Sequence, residues 1–242
     1  MTLFKIILPL ITLVLVALPT IRVSAHSDKP HSNKQNENTA SLNRQLEYEP
    51  PAPGSYRLPP IQQAVDGDVI DADGREHHLF ELMADKYVIL SFIFTTCSDL
   101  KGCPLATLTL NNIRVMLEKD PTLAEEVRFL SLSFDPEHDT PEVMRQYAEL
   151  HGFDDARRKN RWRFLTTTSK NKLQPILDGY GQYVVREYDS KGQSTGGFSH
   201  VLKVYLVDPE RKVRNIYSTS FLYPELIIND IKTLILEKAE FQ

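Results

Sequence analysis

Cys97 and Cys103 are the chain's two cysteines, and five residues separate them in Phe94-Thr95-Thr96-Cys97-Ser98-Asp99-Leu100-Lys101-Gly102-Cys103-Pro104. Two thiols this close can pair as a disulfide, act as a redox couple, or hold a soft metal ion as thiolates. A bond that only pinned the loop would close a short ring and add modest stabilisation. Pro104 suits the first helical position, which makes Cys103 the expected N-cap. Backbone N–H groups and the helix dipole favour a thiolate there, so a lowered Cys103 pKa is expected. His200, in Gly196-Gly197-Phe198-Ser199-His200-Val201, is the third candidate. Two thiolates hold Cu(I), and an added imidazole supports Cu(II). Zinc accepts the same set but calls for a fourth ligand. Asp135, in Phe134-Asp135-Pro136-Glu137-His138-Asp139-Thr140-Pro141, is a candidate supporting residue. Asp139 and Thr140 read as caps of a turn and of the helix that follows.

The elements that must position these groups are legible in the apolar pattern. Tyr87 to Phe94 is nearly all apolar, as expected of a central strand covered on both faces. The cysteines follow it directly, at the carboxyl end of a buried strand, where open α/β sheets place their sites. Pro104 to Lys119 reads as a helix and Val127 to Phe134 as a second buried strand. Thr140-Pro141 opens a helix that Gly152 stops, and Trp162 to Leu165 is a third strand with Trp162 packing at its start. Ser169 to Leu177 is a weaker helix interrupted by Pro175. Val65–Asp71 and His77–Leu79 flank the hairpin signal Asp73-Gly74. Tyr183 to Tyr188 and Gly196 to Phe198 form an inserted hairpin, Val201–Val207 and Val213–Tyr217 pair as strands, and Pro224 to Glu237 closes the chain as an amphipathic helix. The order predicts an α/β, thioredoxin-like fold: a central mixed sheet flanked by helices, with an N-terminal hairpin and an inserted hairpin before the last sheet strands. In such a fold the loop carrying His200 faces the cysteine loop.

Composition sets the frame. The 242 residues are 41% hydrophobic and 25% charged, which excludes a wholly disordered chain and a multi-span membrane protein. A formal charge of −4 argues against a general nucleic-acid binder. Residues 1–25 read as a signal peptide or an uncleaved anchor: Lys5, an apolar run from Ile6 to Leu18, and the small-residue cleavage pattern Val23-Ser24-Ala25. Its removal takes Lys5 and Arg22 and no acidic residue, bringing the net charge from −4 to −6. Residues 26–60 are polar and Pro-rich and read as a flexible linker, stiffened near Pro50 to Pro53. Residues 61–242 form the folded domain. Export to a bacterial periplasm, soluble or tethered to the inner membrane, is the expected location. There two cysteines can pair, and a reactive pair needs a thiol reductant as partner. His26 and His31 read as tail residues, His77-His78 as surface polarity, and Arg157-Arg158-Lys159 with Arg161 and Arg163 as a solvated basic run.

From about Leu58 to the C-terminus the chain resembles the SCO/SenC family of copper-binding, thioredoxin-like assembly factors. The resemblance rests on four segments in order: Phe94-Thr95-Thr96-Cys97, Ser133-Phe134-Asp135-Pro136-Glu137-His138-Asp139-Thr140-Pro141, Ser199-His200 and Tyr205-Leu206-Val207-Asp208-Pro209. It implies copper ligation by Cys97, Cys103 and His200. It also implies copper delivery to, or thiol reduction at, the copper-bearing subunit of cytochrome c oxidase or another exported copper protein. The chain departs from the family pattern in having five residues rather than three between its cysteines, and Ser98 where proline commonly follows the first.

Three functions fit these residues. A metallochaperone would bind copper through the trio and pass it on by ligand exchange. A thiol–disulfide oxidoreductase would reduce cysteines of a copper acceptor. Cys97 at the strand end is then the expected attacker by position, and Cys103 by acidity. A peroxidase is the most distant, because peroxiredoxin-like sites place threonine three residues before the reactive cysteine and Phe94 stands there.

Overall fold

The computed structural model describes residues 46–152 and 161–240. The leader, His26, His31 and Arg157-Arg158-Lys159 lie outside them. The fold is thioredoxin-like. Among the described residues ten strands run in chain order: β1 (Gln62–Gln63), β2 (Asp68–Asp71), β3 (Glu76–His78), β4 (Tyr87–Ile93), β5 (Val127–Ser133), β6 (Trp162–Thr166), β7 (Val184–Tyr188), β8 (Ser194–His200), β9 (Lys203–Val207) and β10 (Lys212–Ser218). Between them lie α1 (Leu79–Met83), α2 (Cys103–Leu117), α3 (Pro121–Glu125), α4 (Pro141–Leu150) and α5 (Lys170–Gly179), and α6 (Pro224–Glu240) follows. Eight strands form one mixed sheet in the order β1-β10-β9-β4-β5-β6-β2-β3, while β7 and β8 pair with each other as a separate ribbon.

The sheet centre explains the sequence pattern. All seven residues of β4 are buried, as befits a strand with covered faces on both sides. β4, β5 and β6 are parallel, with Ile93 level with Ser133. Their carboxyl ends therefore share one rim. β9 runs antiparallel to β4, with Ser91 opposite Val204. The start of β9 is thereby placed at the finish of β4. This single reversal brings His200, three residues before β9, to the rim that carries the cysteines.

The expected N-terminal hairpin is β2–β3, which joins the sheet through β6. Trp162 is buried at the start of β6, stacks on Phe164 and donates its indole N–H to Ser131 Oγ at 3.0 Å. Helix α5 runs unbroken past Pro175. Proline removes one intrahelical bond, and burial of Leu173, Ile176 and Leu177 offsets that loss. Arg161 and Arg163 pair with Glu125 and Asp71. His77 Nε2 lies 2.9 Å from Asp71 Oδ2.

The linker reading of 26–60 needs correction at its far end. Residues 51–58 lie along α6 as a strap. Gly54 N–H donates to Thr233 Oγ1 at 3.0 Å, Tyr56 Oη to Asp230 Oδ1 at 2.5 Å, and Leu58 N–H to Glu237 Oε1 at 3.1 Å. Asn229 in turn donates to the Pro51 carbonyl. Composition is a poor guide here because the strap is held by hydrogen bonds to a partner surface 170 or more residues away, rather than by apolar mass of its own. Among the described residues, no helix is long and apolar enough to cross a membrane.

Candidate metal centre

The site is assembled from three elements. After β4 the chain leaves the sheet at Phe94 and turns, with Cys97 N–H donating to the Phe94 carbonyl at 3.3 Å. A second turn follows, in which Gly102 N–H donates to Asp99 O at 2.9 Å and Lys101 N–H to Asp99 Oδ1 at 3.0 Å. This second turn folds the five-residue spacer back, so the sulfurs are not driven apart. Cys103 is the first residue of α2, with Gly102 at the N-cap and Pro104 behind it. The expected N-cap position is therefore shifted by one residue.

One ligand atom each from Cys97, Cys103 and His200 fall within 4.8 Å of one another. Among the described residues this is the group of His, Cys, Asp and Glu spaced to hold a metal ion. Both cysteines are free thiols; Cys103 is buried and Cys97 half-buried. His200 lies against Phe134 and Phe94, with ring centroids 4.8 and 6.0 Å away, and Phe198 completes the aromatic wall. Its Nδ1 is buried without a hydrogen-bond partner. A buried imidazole nitrogen left unsatisfied is costly. Coordination is one way to satisfy it, and the soft, three-donor set suits a Cu ion. Cys97 and His200 open onto a groove of about 1080 Å³ lined also by Asp135, Arg186 and Thr219, with Cys103 buried behind them.

The two thiols are not equivalent. The Cys103 side chain hydrogen-bonds Cys97 and, with help from His200 and the Cys103 backbone N–H, pulls the Cys97 pKa well below the ordinary thiol range despite partial burial. The same hydrogen bond and burial raise that of Cys103. The expectation of an acidic Cys103 is thus reversed. The amino end of α2 does favour a thiolate, and its first N–H lowers the pKa of both thiols. The Cys103 sulfur is itself enclosed, and burial outweighs the dipole.

Asp135 is buried and its Oδ1 accepts a hydrogen bond from Arg186 at 2.7 Å. Asp139 does more than cap a turn. Its carboxylate accepts from Thr95 N–H at 3.0 Å, Thr95 Oγ1 and Ser133 Oγ at 2.5 Å each, and lies 2.9 Å from His138 Nδ1. It ties the start of the cysteine loop to the end of β5. Thr140 is the N-cap of α4, as expected, accepting from Val143 N–H. Sequence reading passed over Arg186, Gly102 and the three phenylalanines. The phenylalanines carried a signal, since two of them directly follow buried strands.

The SCO1/SenC family model matches residues 68–236. The chain belongs to that family. It is 27% identical over 164 residues to the SCO1 protein homolog of Bacillus subtilis, spanning 66% of this chain and 77% of that one. BsSco, a member of the Sco family of cytochrome c oxidase assembly proteins in which a disulfide switch has been identified, superposes with a TM-score of 0.56 at 25% identity, over 73% of this chain and 96% of its own. Arabidopsis thaliana ScoI, solved with copper bound, shares the fold at a TM-score of 0.59 and 21% identity, over 72% of this chain and 98% of its own.

Proposed function

We propose that this SCO1/SenC protein is an exported copper metallochaperone that assists assembly of the copper centre of cytochrome c oxidase. The observation that carries the reading is the convergence of two sulfurs and an imidazole within 4.8 Å at an open rim. Cys97 and Cys103 hold Cu(I) as thiolates, and His200 completes the set and supports Cu(II). Copper is cargo here, and release proceeds by ligand exchange to the acceptor's own donors across the groove. The half-buried Cys97 is the ligand an incoming group reaches first. The copper bound to a protein of the same fold and the assembly role of BsSco's family support this choice of cargo and acceptor. Periplasmic location, with the protein soluble or tethered, is part of the proposal.

Anaerobic titration of the reduced protein with Cu(I) tests it. One equivalent should bind, and Cys97→Ser should weaken binding by more than the roughly 10–100-fold that supporting residues carry. Equal affinity in the variant would end the copper assignment.

A second reading, a thiol–disulfide oxidoreductase acting on the acceptor's cysteines, is favoured by the thiol asymmetry. Cys97 attacks as the thiolate and Cys103 resolves the mixed disulfide, with a thiol reductant restoring the pair. Trapping a mixed disulfide on Cys97 in a Cys103→Ser variant, and none on Cys103 in the reciprocal variant, is the expected result.

A further inference from the structure

The strand that brings His200 to the site does not belong to the main sheet. β7 and β8 hydrogen-bond to each other, Val184 opposite His200 and Arg186 opposite Phe198. Side chains alternate across such a ribbon. Val184, Arg186, Phe198 and His200 face the body of the protein, whereas Val185 and Ser199 are exposed. Toward its tip the ribbon is irregular: the pairing register shifts between Arg186 and Tyr188, and Gly196 has φ +79°. Something other than ladder hydrogen bonds must fix this ribbon against the sheet.

Arg186 is the charged group that does so. One of its terminal nitrogens lies 2.7 Å from Asp135 Oδ1 and 3.1 Å from Glu137 Oε2. Its guanidinium carbon stands 4.5 Å from the centroid of Phe198. Asp135 is a rigid anchor. It is 4% exposed, its N–H donates to Ser133 Oγ, and its carbonyl accepts from His138 and Asp139. Glu137 is further held by Lys170 at 2.8 Å. Arginine suits this place because one planar group can hydrogen-bond a carboxylate while stacking on a ring. The clamp acts two residues before His200, on the same face of the same pair of strands.

We infer that Arg186 is the positioning residue for His200: by bridging Asp135 and Phe198 it fixes the ribbon that carries the imidazole to the sheet end that carries the thiols. The metal-binding consequence rests on the copper reading above; the positioning itself does not. Cu(I) is served by the two sulfurs, whereas Cu(II) draws on the imidazole. Loosening the ribbon therefore acts selectively on Cu(II).

The test uses the full chain. Cu(I) and Cu(II) affinities are measured by competition for wild type, Arg186→Gln and Arg186→Lys, with and without His200→Ala. Side-chain nitrogen spectra of His200 are recorded on the reduced, metal-free protein. Arg186→Gln should weaken Cu(II) by about tenfold or more, in the range typical of residues behind a ligand, and leave Cu(I) within about twofold. In the His200→Ala background it should cost nothing further. Its metal-free imidazole signals should shift or broaden, and Arg186→Lys should recover part of both effects. Equal losses of Cu(I) and Cu(II), an undiminished loss in the His200→Ala background, or unchanged imidazole signals would overturn the inference. If wild type takes up no copper, the copper reading fails and the imidazole spectra decide the clamp on their own. Should Arg186→Gln not fold, for want of a partner for the buried Asp135 carboxylate, the Asp135→Asn/Arg186→Gln pair restores an amide contact and is read in the same way.

Discussion

At the scale of single residues, the site works by making two chemically identical side chains different. Cys97 is held as a thiolate by donors that reach it from Cys103, His200 and the first turn of α2. Cys103 is enclosed and keeps its proton. Because a lowered pKa extends the thiolate range downward in pH, alkylation of Cys97 in the reduced, metal-free protein should stay nearly flat from about pH 8 to about pH 6. An ordinary thiol, with a pKa of about 8.5, slows about tenfold per unit over that span. Mass mapping of the alkylated peptides checks this, and a Cys97 profile parallel to that of a free thiol would contradict it. Gly102 has its own role in the pair. A Cβ there would stand 3.3 Å from Cys97 Sγ and 3.2 Å from the Asp99 carbonyl. Gly102→Ala should therefore displace the sulfur, weakening Cu(I) binding by about tenfold, within the range set by disturbed supporting residues, with the helix content unchanged by circular dichroism.

At the scale of elements, buried carboxylates join segments that the chain order keeps apart. Asp139 pins the cysteine loop to β5 through Thr95 and Ser133. Asp139→Ala leaves those donors unpaired in a buried setting and should lower unfolding stability by about 3 kcal/mol, read as a shift of the urea midpoint; a shift under about 1 kcal/mol would show the tie to be dispensable. Asp71 plays the matching part in the β2–β3 hairpin. Burial alone would raise its pKa, but hydrogen bonds from the Arg75 N–H, His77 and the Asp73 N–H outweigh that and hold it below the usual carboxylate value. A depressed native pKa means that the unfolded chain binds the proton more readily. The stabilisation is present above the unfolded pKa of about 3.9 and is lost as pH falls through the native value. Asp71→Asn should flatten the acid side of the stability profile, and urea midpoints between about pH 6 and pH 3 would reveal an unaltered slope if the pairing were inert.

At the scale of the whole molecule, the strap and the ribbon are two segments attached to the sheet scaffold from outside, and of the two only the ribbon carries a residue of the site. The strap meets Asp230, which also accepts from Tyr217 Oη at 2.6 Å and Asn215 at 2.8 Å, and Glu237, which also pairs with Arg214. A chain beginning at residue 61 loses the contacts of Gly54, Tyr56 and Leu58, each worth about 1 kcal/mol. Relative to a chain beginning at residue 46 it should melt at least about 5 °C lower, while its Cu(I) affinity is unchanged. Equal melting temperatures would return residues 46–60 to the status of a spacer.

Much of this protein is legible without coordinates because its decisive signals are local. The nearly all-apolar run of β4, the proline and capping residues at helix starts, and the turn residues of two hairpins each act over a few positions, so the thioredoxin-like plan and the place of Cys97 and Cys103 at a strand end can be read along the chain. Which thiol is acidic cannot be read there. That depends on which sulfur is enclosed and which one the thiol–thiol hydrogen bond favours, and the geometry inverts the expectation drawn from the N-cap. Nor do residue types disclose that Asp139 ties the loop, that Arg186 meets Asp135 from 51 positions away, or that a polar, proline-rich stretch lies along α6. Hydrogen bonds between distant side chains leave no periodic trace in a sequence. Hydrophobic burial does, and so the scaffold was written in the residues while the electrostatics of the site waited on the fold.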